Sequence, residues 1–381
     1  MIDMKILIAP NSFKECADSV AIADIFAAYL SRQHDYDIIS KPISDGGDGF
    51  LGVCENNFEL EKISYRIPTP YSNRQIKCEA GYSKENKKLF IESADAVGLK
   101  LIPPDRRHPL YLSTKGLGVL IKQIAADVNN GKIEADKVII GIGGTGTNDL
   151  GIGALSELGM KLEDKHNKVL EPVPINFNET RKILWKAPKL PFKIELVTDV
   201  NNPLLGKEGA SYIYGSQKGL TTKEIKIADA GFENIIRISE EEGIIQSTKF
   251  ISGAGGGLAA GFQLFIGAKL ILSDKFISRE LGIMNNEKYS AVITAEGAFD
   301  NQSFMNKATG TIIKKYAGSR AKIFLVCGKI DKSVLYKLPV NVCPIEIAKY
   351  FISKTDSIKH YKKGIKLACQ EILTKLLLHT T

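Results

Sequence analysis

The sequence predicts an α/β protein of two α/β domains, a discontinuous parallel-sheet domain and an inserted mixed α/β domain. Three observations predict it. At 381 residues the chain exceeds what one hydrophobic core comfortably organises. A strand, a helix and a second strand follow one another near the start, the order from which parallel sheets are built. The same alternation returns near the end, beyond a middle of different texture, so the first and last parts are expected to fold together.

Residues 5–10 (KILIAP) are a short β-branched run ending at Pro10 and Asn11, as a buried parallel strand does. Asp18 or Ser19 can cap the following helix, in which Val20, Ala23, Ile25, Phe26, Ala27 and Leu30 keep helical spacing. Residues 36–43 supply the next strand. In the middle, 63–76 and 87–91 read as antiparallel or hairpin strands around Pro70, Tyr71, Ser72 and Asn73. A helix is expected over 117–128, and strands over 137–142 and 193–198. Late strands fall at 291–294, 322–327 and 342–347, with a helix over 310–317 and a terminal helix over 357–378. Loop-like joins near 66–72 and 275–288 assign residues 1–68 plus 285–381 to the discontinuous domain and 69–284 to the insert.

Hydrophobic residues are 44% and charged residues 25%, as in ordinary globular proteins. The net charge of +8 is spread along the chain without a basic arm or RNP-type aromatic motif. A Lys-rich solvated surface accounts for it, no nucleic-acid partner is expected, and anionic small molecules remain compatible. The six cysteines are widely spaced with no C-x-x-C pair, which points to reduced thiols rather than a disulfide framework or a zinc site. The first residues lack signal-peptide architecture and no apolar run is long enough to span a bilayer. A cytoplasmic location with no membrane partner is expected.

Five segments combine strand ends, small residues and acids, and strand carboxyl ends line the ligand crevice of open α/β sheets. Asn11-Ser12-Phe13-Lys14 could meet phosphate or carboxylate, or be a turn with an exposed Lys. Ser44-Asp45-Gly46-Gly47-Asp48-Gly49 could hold Mg²⁺ through its carboxylates, or be a tight turn. Residues 141–149 (GIGGTGTND) offer loop amides to an anion. Gly141–Gly146 also matches the dinucleotide fingerprint G-x-G-x-x-G, although Thr147-Asn148-Asp149 stands where the helix should begin. Thr198-Asp199-Val200-Asn201-Asn202 offers one base and neutral hydrogen-bonding groups, or an Asx-turn, and Lys218 follows in an apparent turn. In the fifth, Glu296 and Asp300 follow a strand and are expected in a loop. Upstream, residues 253–257 (GAGGG) read as a second phosphate-facing loop or a close helix-packing site.

The P-loop pattern, the protein-kinase H-R-D loop, the G-x-S-x-G elbow and H-E-x-x-H are all absent, and histidines are few and isolated. Carboxylates, lysines, amides and glycines remain, and phosphoryl transfer uses that set.

These segments, in this order, resemble the type I glycerate kinase family. APNSFKE resembles its opening A-P-D-S-F-K-G, and PISDGGDGF its P-x-A-D-G-G-E-G-T. ESADAVGL and STKGLGVL also fit. GIGGTGTNDLGIGAL resembles G-I-G-G-S-A-T-N-D-G-G-A-G, VTDVNNPLLGKEGAS the D-V-x-N-P-L-x-G stretch, YGSQKG the P-Q-K-G stretch, and TAEGAFDNQS resembles T-G-E-G-R-x-D-x-Q-S. The resemblance implies ATP and Mg²⁺, glycerate as acceptor and a phosphoglycerate product. It implies two α/β domains, one flavodoxin-like, with the active site in the cleft between them, whose closure would exclude water. A monomer or homodimer is expected. Asn11 stands for the usual Asp, Glu15 and Ala295 for Gly, Ser216 for Pro, and Ala298 for Arg. Lys14 or Lys218 is expected to take over from the missing Arg.

The resulting expectations are specific. Asp199 is the first candidate for the acid that orients the acceptor hydroxyl and Asp149 the second, while Lys14 neutralises developing charge. Ser12, Gly143, Gly144, Thr145, Thr147, Asn148, Asn201, Lys218, Gly255, Gly256 and Asp300 are candidate substrate or nucleotide contacts. Asp45, Asp48 and Glu296 are candidate metal contacts. Two rivals stand beside this reading: an NAD-dependent dehydrogenase built on Gly141–Gly146, and a non-catalytic small-molecule-binding relative.

Overall fold

The computed structural model describes residues 4–13, 16–199, 202–246, 251–283 and 287–377. Among them the strands are β1 (Lys5–Ile8), β2 (Asp37–Ser40), β3 (Glu61–Thr69), β4 (Ser72–Ser83), β5 (Lys88–Glu92), β6 (Lys137–Gly141), β7 (Lys161–Glu163), β8 (Val169–Leu170), β9 (Lys182–Leu184), β10 (Lys193–Thr198), β11 (Lys269–Leu272), β12 (Ala291–Phe299), β13 (Lys322–Ile330) and β14 (Val342–Glu346). The chain divides into two compact units. The first is Met1–Asp45, Gly52–Glu59 and Leu272–Thr381; the second is Gly46–Leu51 and Leu60–Ile271.

The first unit carries a sheet of order β14-β13-β12-β1-β2, parallel at every pairing. Numbered within the unit this is 2-1-3-4-5, the flavodoxin-like order, which reverses direction between β1 and β12. Helices Ser19–Leu30 and Tyr361–Leu377 cover the sheet, burying Ile22, Phe26, Ile365 and Ile372 against Ile6, Ile8, Ile293 and Phe324. Asp18 caps the first helix by accepting the Ala21 N–H at 2.8 Å.

The second unit has a sheet of order β11-β10-β6-β5-β4-β3, in which β5, β6 and β10 are parallel and β3, β4 and β5 antiparallel. β3 pairs with β4 along its length, so it belongs to this unit. The sequence assigned most of β3 to the other domain because a local pattern does not reveal a strand's partner. The second boundary likewise falls at Ile271/Leu272, earlier than 284/285.

Other departures have local causes. The expected 357–378 helix is two, Lys354–Lys359 and Tyr361–Leu377, with residue 378 outside the described set. β12 runs on to Phe299, since Ala298 and Phe299 pair with Lys329 and Ile330 of β13. The antiparallel sheet β8-β7-β9 was missed because such short strands show no periodicity. Helix Thr222–Glu241 was missed too, although Thr221 and Glu224 form a capping box readable in sequence. No helix among the described residues is long and apolar enough to cross a membrane. All six cysteines lie among the described residues, and no disulfide joins them.

Candidate active site

In the second unit, three parallel strands end together: Glu92 and Val197 both stand opposite Gly141. The loop after Ser44 is drawn into this edge. The Gly143 N–H donates to the Gly46 carbonyl at 2.8 Å. Gly46 has φ +90°, and a β-carbon there would overlap the Val197 carbonyl, so the close approach requires glycine. The Glu92 carboxylate accepts the Gly49 and Leu51 amides at 3.1 and 3.2 Å, fixing the start of helix Phe50–Asn57. Burial pushes that carboxyl up. Lys100 lies 3.6 Å from Glu92 and 2.9 Å from Asp95. Asp48 is exposed, beside Gly144.

Deeper in the same unit, Lys218 ties two loops together. Its ammonium donates to Thr145 Oγ1 at 3.2 Å and to the Thr147 carbonyl at 2.6 Å. Burial pushes its pKa down to about 8, against the pull of Asp149. Lys218 is not in a turn; it ends helix Ala210–Lys218, which Gly219 closes in the left-handed conformation. The Asn148 amide donates to Ser211 Oγ at 3.0 Å. Thr147 Oγ1 and Asn148 Oδ1 are buried without a hydrogen-bond partner, a costly state unless a ligand or water completes them.

Asp149 serves the framework of this loop. Its Oδ2 accepts from the Thr114 amide and hydroxyl at 2.7 and 2.8 Å and from the Gly153 amide at 3.2 Å, and its Oδ1 from Gly151. Burial pushes the carboxyl up against those bonds. Asp199 follows β10 half-buried, close enough to Tyr214 that burial and the Asp199 charge push the phenol up to about 12. The Tyr214 hydroxyl donates to Asn202 Oδ1 at 2.8 Å.

The close-packing reading of 253–257 holds. Gly257 caps helix Leu258–Ile266, and Gly256, at φ +69°, would drive a β-carbon into the Thr147 carbonyl. Left-handed strain and overpacking together should make Gly256→Ala cost about 3 kcal/mol. A thermal midpoint within about one degree of wild type would contradict this.

In the first unit, a 580 Å³ pocket opens at the carboxyl ends of the sheet, beside the β1/β12 switch point. Asn11, Ser12, Asp45, Glu296, Asp300 and Lys307 line one side. The Asn11 side-chain amide donates to Asp45 Oδ2 at 3.5 Å and its Oδ1 accepts the Ser12 amide at 2.9 Å. Asp300 caps helix Asn301–Asn306 by accepting the Ser303 N–H at 2.8 Å. Glu296 lies within β12, its Oε1 buried without a partner, and burial pushes its carboxyl up to about 8. Asp45 and Asp300 add to that rise and Lys307 opposes it.

Among the described residues no group of three or more His, Cys, Asp or Glu side chains could hold a metal unaided. Mg²⁺ needs only one or two carboxylates beside phosphates and water. The unpartnered oxygen of Glu296, with Asp45 close by, fits that limited demand.

The candidates therefore fall into two groups. Gly143, Gly144, Thr145, Thr147, Asn148, Asp149, Lys218, Gly255 and Gly256 gather in the second unit, which also holds Asp48 and Asp199. Ser12, Asp45, Glu296 and Asp300 gather in the first. Lys14 and Asn201 lie outside the described residues. Lys218 is engaged by Thr145 and Thr147; Ala298 stands opposite Lys329, which lines the pocket of the first unit together with Lys307. Sequence reading passed over Glu92, Thr114, Ser211, Lys307 and Lys329. ESADAVGL and STKGLGVL signalled the first two, but the other three needed the pairing and packing.

Gly141–Gly146 does not open a helix: the next one spans Ile152–Glu157. The arrangement a dinucleotide fold would place there is missing. Acids, a buried lysine and glycine-framed loops at parallel strand ends define an α/β enzyme of the phosphoryl-transfer class. The glycerate kinase family model matches residues 6–377, and the chain belongs to that family. It is 34% identical over 313 residues to a glycerate kinase of Haemophilus influenzae, covering 80% of each chain. It is 32% identical over 323 residues to the glycerate 2-kinase of Escherichia coli, covering 82% of this chain and 83% of that one. A crystal structure from Salmonella typhimurium LT2, assigned as glycerate kinase 2, superposes with a TM-score of 0.78 at 25% identity over 99% of both chains.

Proposed function

We propose that this protein transfers the terminal phosphoryl group of ATP, with Mg²⁺, to a hydroxyl of glycerate. The observation that carries the proposal is membership of the glycerate kinase family over residues 6–377. The site chemistry supports it. The acceptor oxygen bonds to the γ-phosphorus as the bond from that phosphorus to the β–γ bridging oxygen breaks, ADP leaves, and the hydroxyl proton passes to a carboxylate. Asp199 takes that proton in this reading. Thr147 Oγ1 and Asn148 Oδ1 receive the acid's polar groups, and Lys218 and Asp149 position the loop that presents them. Asp45 and Glu296 would hold Mg²⁺, which when bound neutralises phosphate oxygens.

Coupled ADP release tests the reading: glycerate should stimulate it, and ATP–Mg²⁺ but not NAD should raise the thermal midpoint. No glycerate-dependent ADP release would defeat the proposal and favour a non-catalytic relative. Following the Escherichia coli relative, the expected product is 2-phosphoglycerate. Its phosphorus couples to one carbon-bound proton and gives a doublet, whereas the 3-isomer gives a triplet.

A further inference from the structure

The large apolar side chains that line the pocket of the first unit gather at one end of its sheet. At the β12, β1 and β2 ends stand Glu296, Asn11 and Asp45, with Lys307 near Glu296. At the β14 end Ile347, Phe351, Ile352, Ile358 and Tyr361 supply apolar side chains, interleaved with Glu346, Ser353, Lys354 and Ser357. Ile352 is fully exposed, at 103% of its reference area. Lys329, from β13, lines the same pocket.

Glycerate has three carbons, each bonded to oxygen, and no apolar face, so it would leave those apolar side chains wet. A purine has two broad faces of low polarity and carries its phosphates away from them. Ligand sites of several hundred Å³ with an apolar wall and a few convergent polar groups suit such molecules.

We propose that the apolar side chains of Ile347, Phe351, Ile352, Ile358 and Tyr361 seat the purine of the nucleotide, with its phosphates directed toward Lys307, Lys329 and the Asp45–Glu296 end. This assigns the nucleotide to the first unit and rests on the phosphotransfer reading above. Aromatic and aliphatic side chains on the β14 side exclude water from the base. The acids and lysines on the β12 side meet the charged end.

Photolabelling with 8-azido-ATP and Mg²⁺ tests the assignment without relying on turnover. Covalent label should appear in peptides covering 345–361 and be suppressed by ATP. Label in 203–219 or 253–262 instead, or no label while glycerate-dependent ADP release persists, would overturn it. Ile352→Asp places a charge among these side chains at a position too exposed to affect folding. Its KM for ATP should rise about tenfold, on the scale of one lost apolar contact, with the KM for glycerate unaltered. An unchanged KM for ATP would count equally against the purine seat. If wild type released no ADP with glycerate, the phosphotransfer reading would fall, whereas the position of the label reports on the nucleotide seat alone.

Discussion

Asp199→Asn should lower turnover about a hundredfold or more while leaving both KM values close to wild type. The substitution keeps the side chain's shape and removes its ability to accept a proton. Asp199 directly follows Thr198, the buried last residue of β10, at the edge where β5, β6 and β10 end together. Its charge is felt by Tyr214, whose hydroxyl is held by Asn202. Asp149 is less suited to proton transfer, because its oxygens already accept from Thr114, Gly151 and Gly153. Steady-state kinetics with ATP and glycerate each varied would decide the matter. A loss of turnover under about tenfold would remove Asp199 from the base role.

Lys218→Met should lower kcat/KM for glycerate about a hundredfold, the scale of losing one preorganised charged donor. Met keeps most of the length of Lys but leaves the Thr147 carbonyl and Thr145 hydroxyl without their donor. Wild-type kcat/KM should also decline as pH rises through about 8, where the buried ammonium loses its proton. The variant, lacking that group, should not show the decline. Stability should respond in the opposite sense. Lys218 titrates near 8 when buried and near its ordinary 10.5 when unfolded. Between those values the unfolded chain holds more protons, so this residue's contribution to stability rises with pH over that window. It is least favourable below pH 8, where a charge is buried. Kinetics within about threefold of wild type, with the same pH profile, would leave Lys218 a packing residue only.

Much of this protein was legible without coordinates. The runs at 5–10, 137–142 and 193–198 are apolar because parallel strands are covered on both faces, and each became β1, β6 or β10. Small and acidic residues after those runs marked the strand ends, the edge at which open α/β sheets offer a ligand crevice. The resemblance to glycerate kinases rested on the same residues. What escaped was short or dependent on distant partners. β7, β8 and β9 have too few residues to display a period. Lys218 looked like a turn residue because Gly219 follows it, yet Gly219 is the left-handed terminator of its helix.

The order of residues along the chain was enough to establish the α/β class and an interrupted first unit, because strand burial and turn formation are written in local patterns. Folding in three dimensions decided the rest. It gave β3 to the second unit, buried Asp149 and Lys218 within one loop framework, and left Glu296 Oε1, Thr147 Oγ1 and Asn148 Oδ1 without partners. Burial and hydrogen bonding depend on neighbours that local pattern does not name, such as Thr114 for Asp149 and Thr147 for Lys218, and those neighbours determine which groups are held as framework.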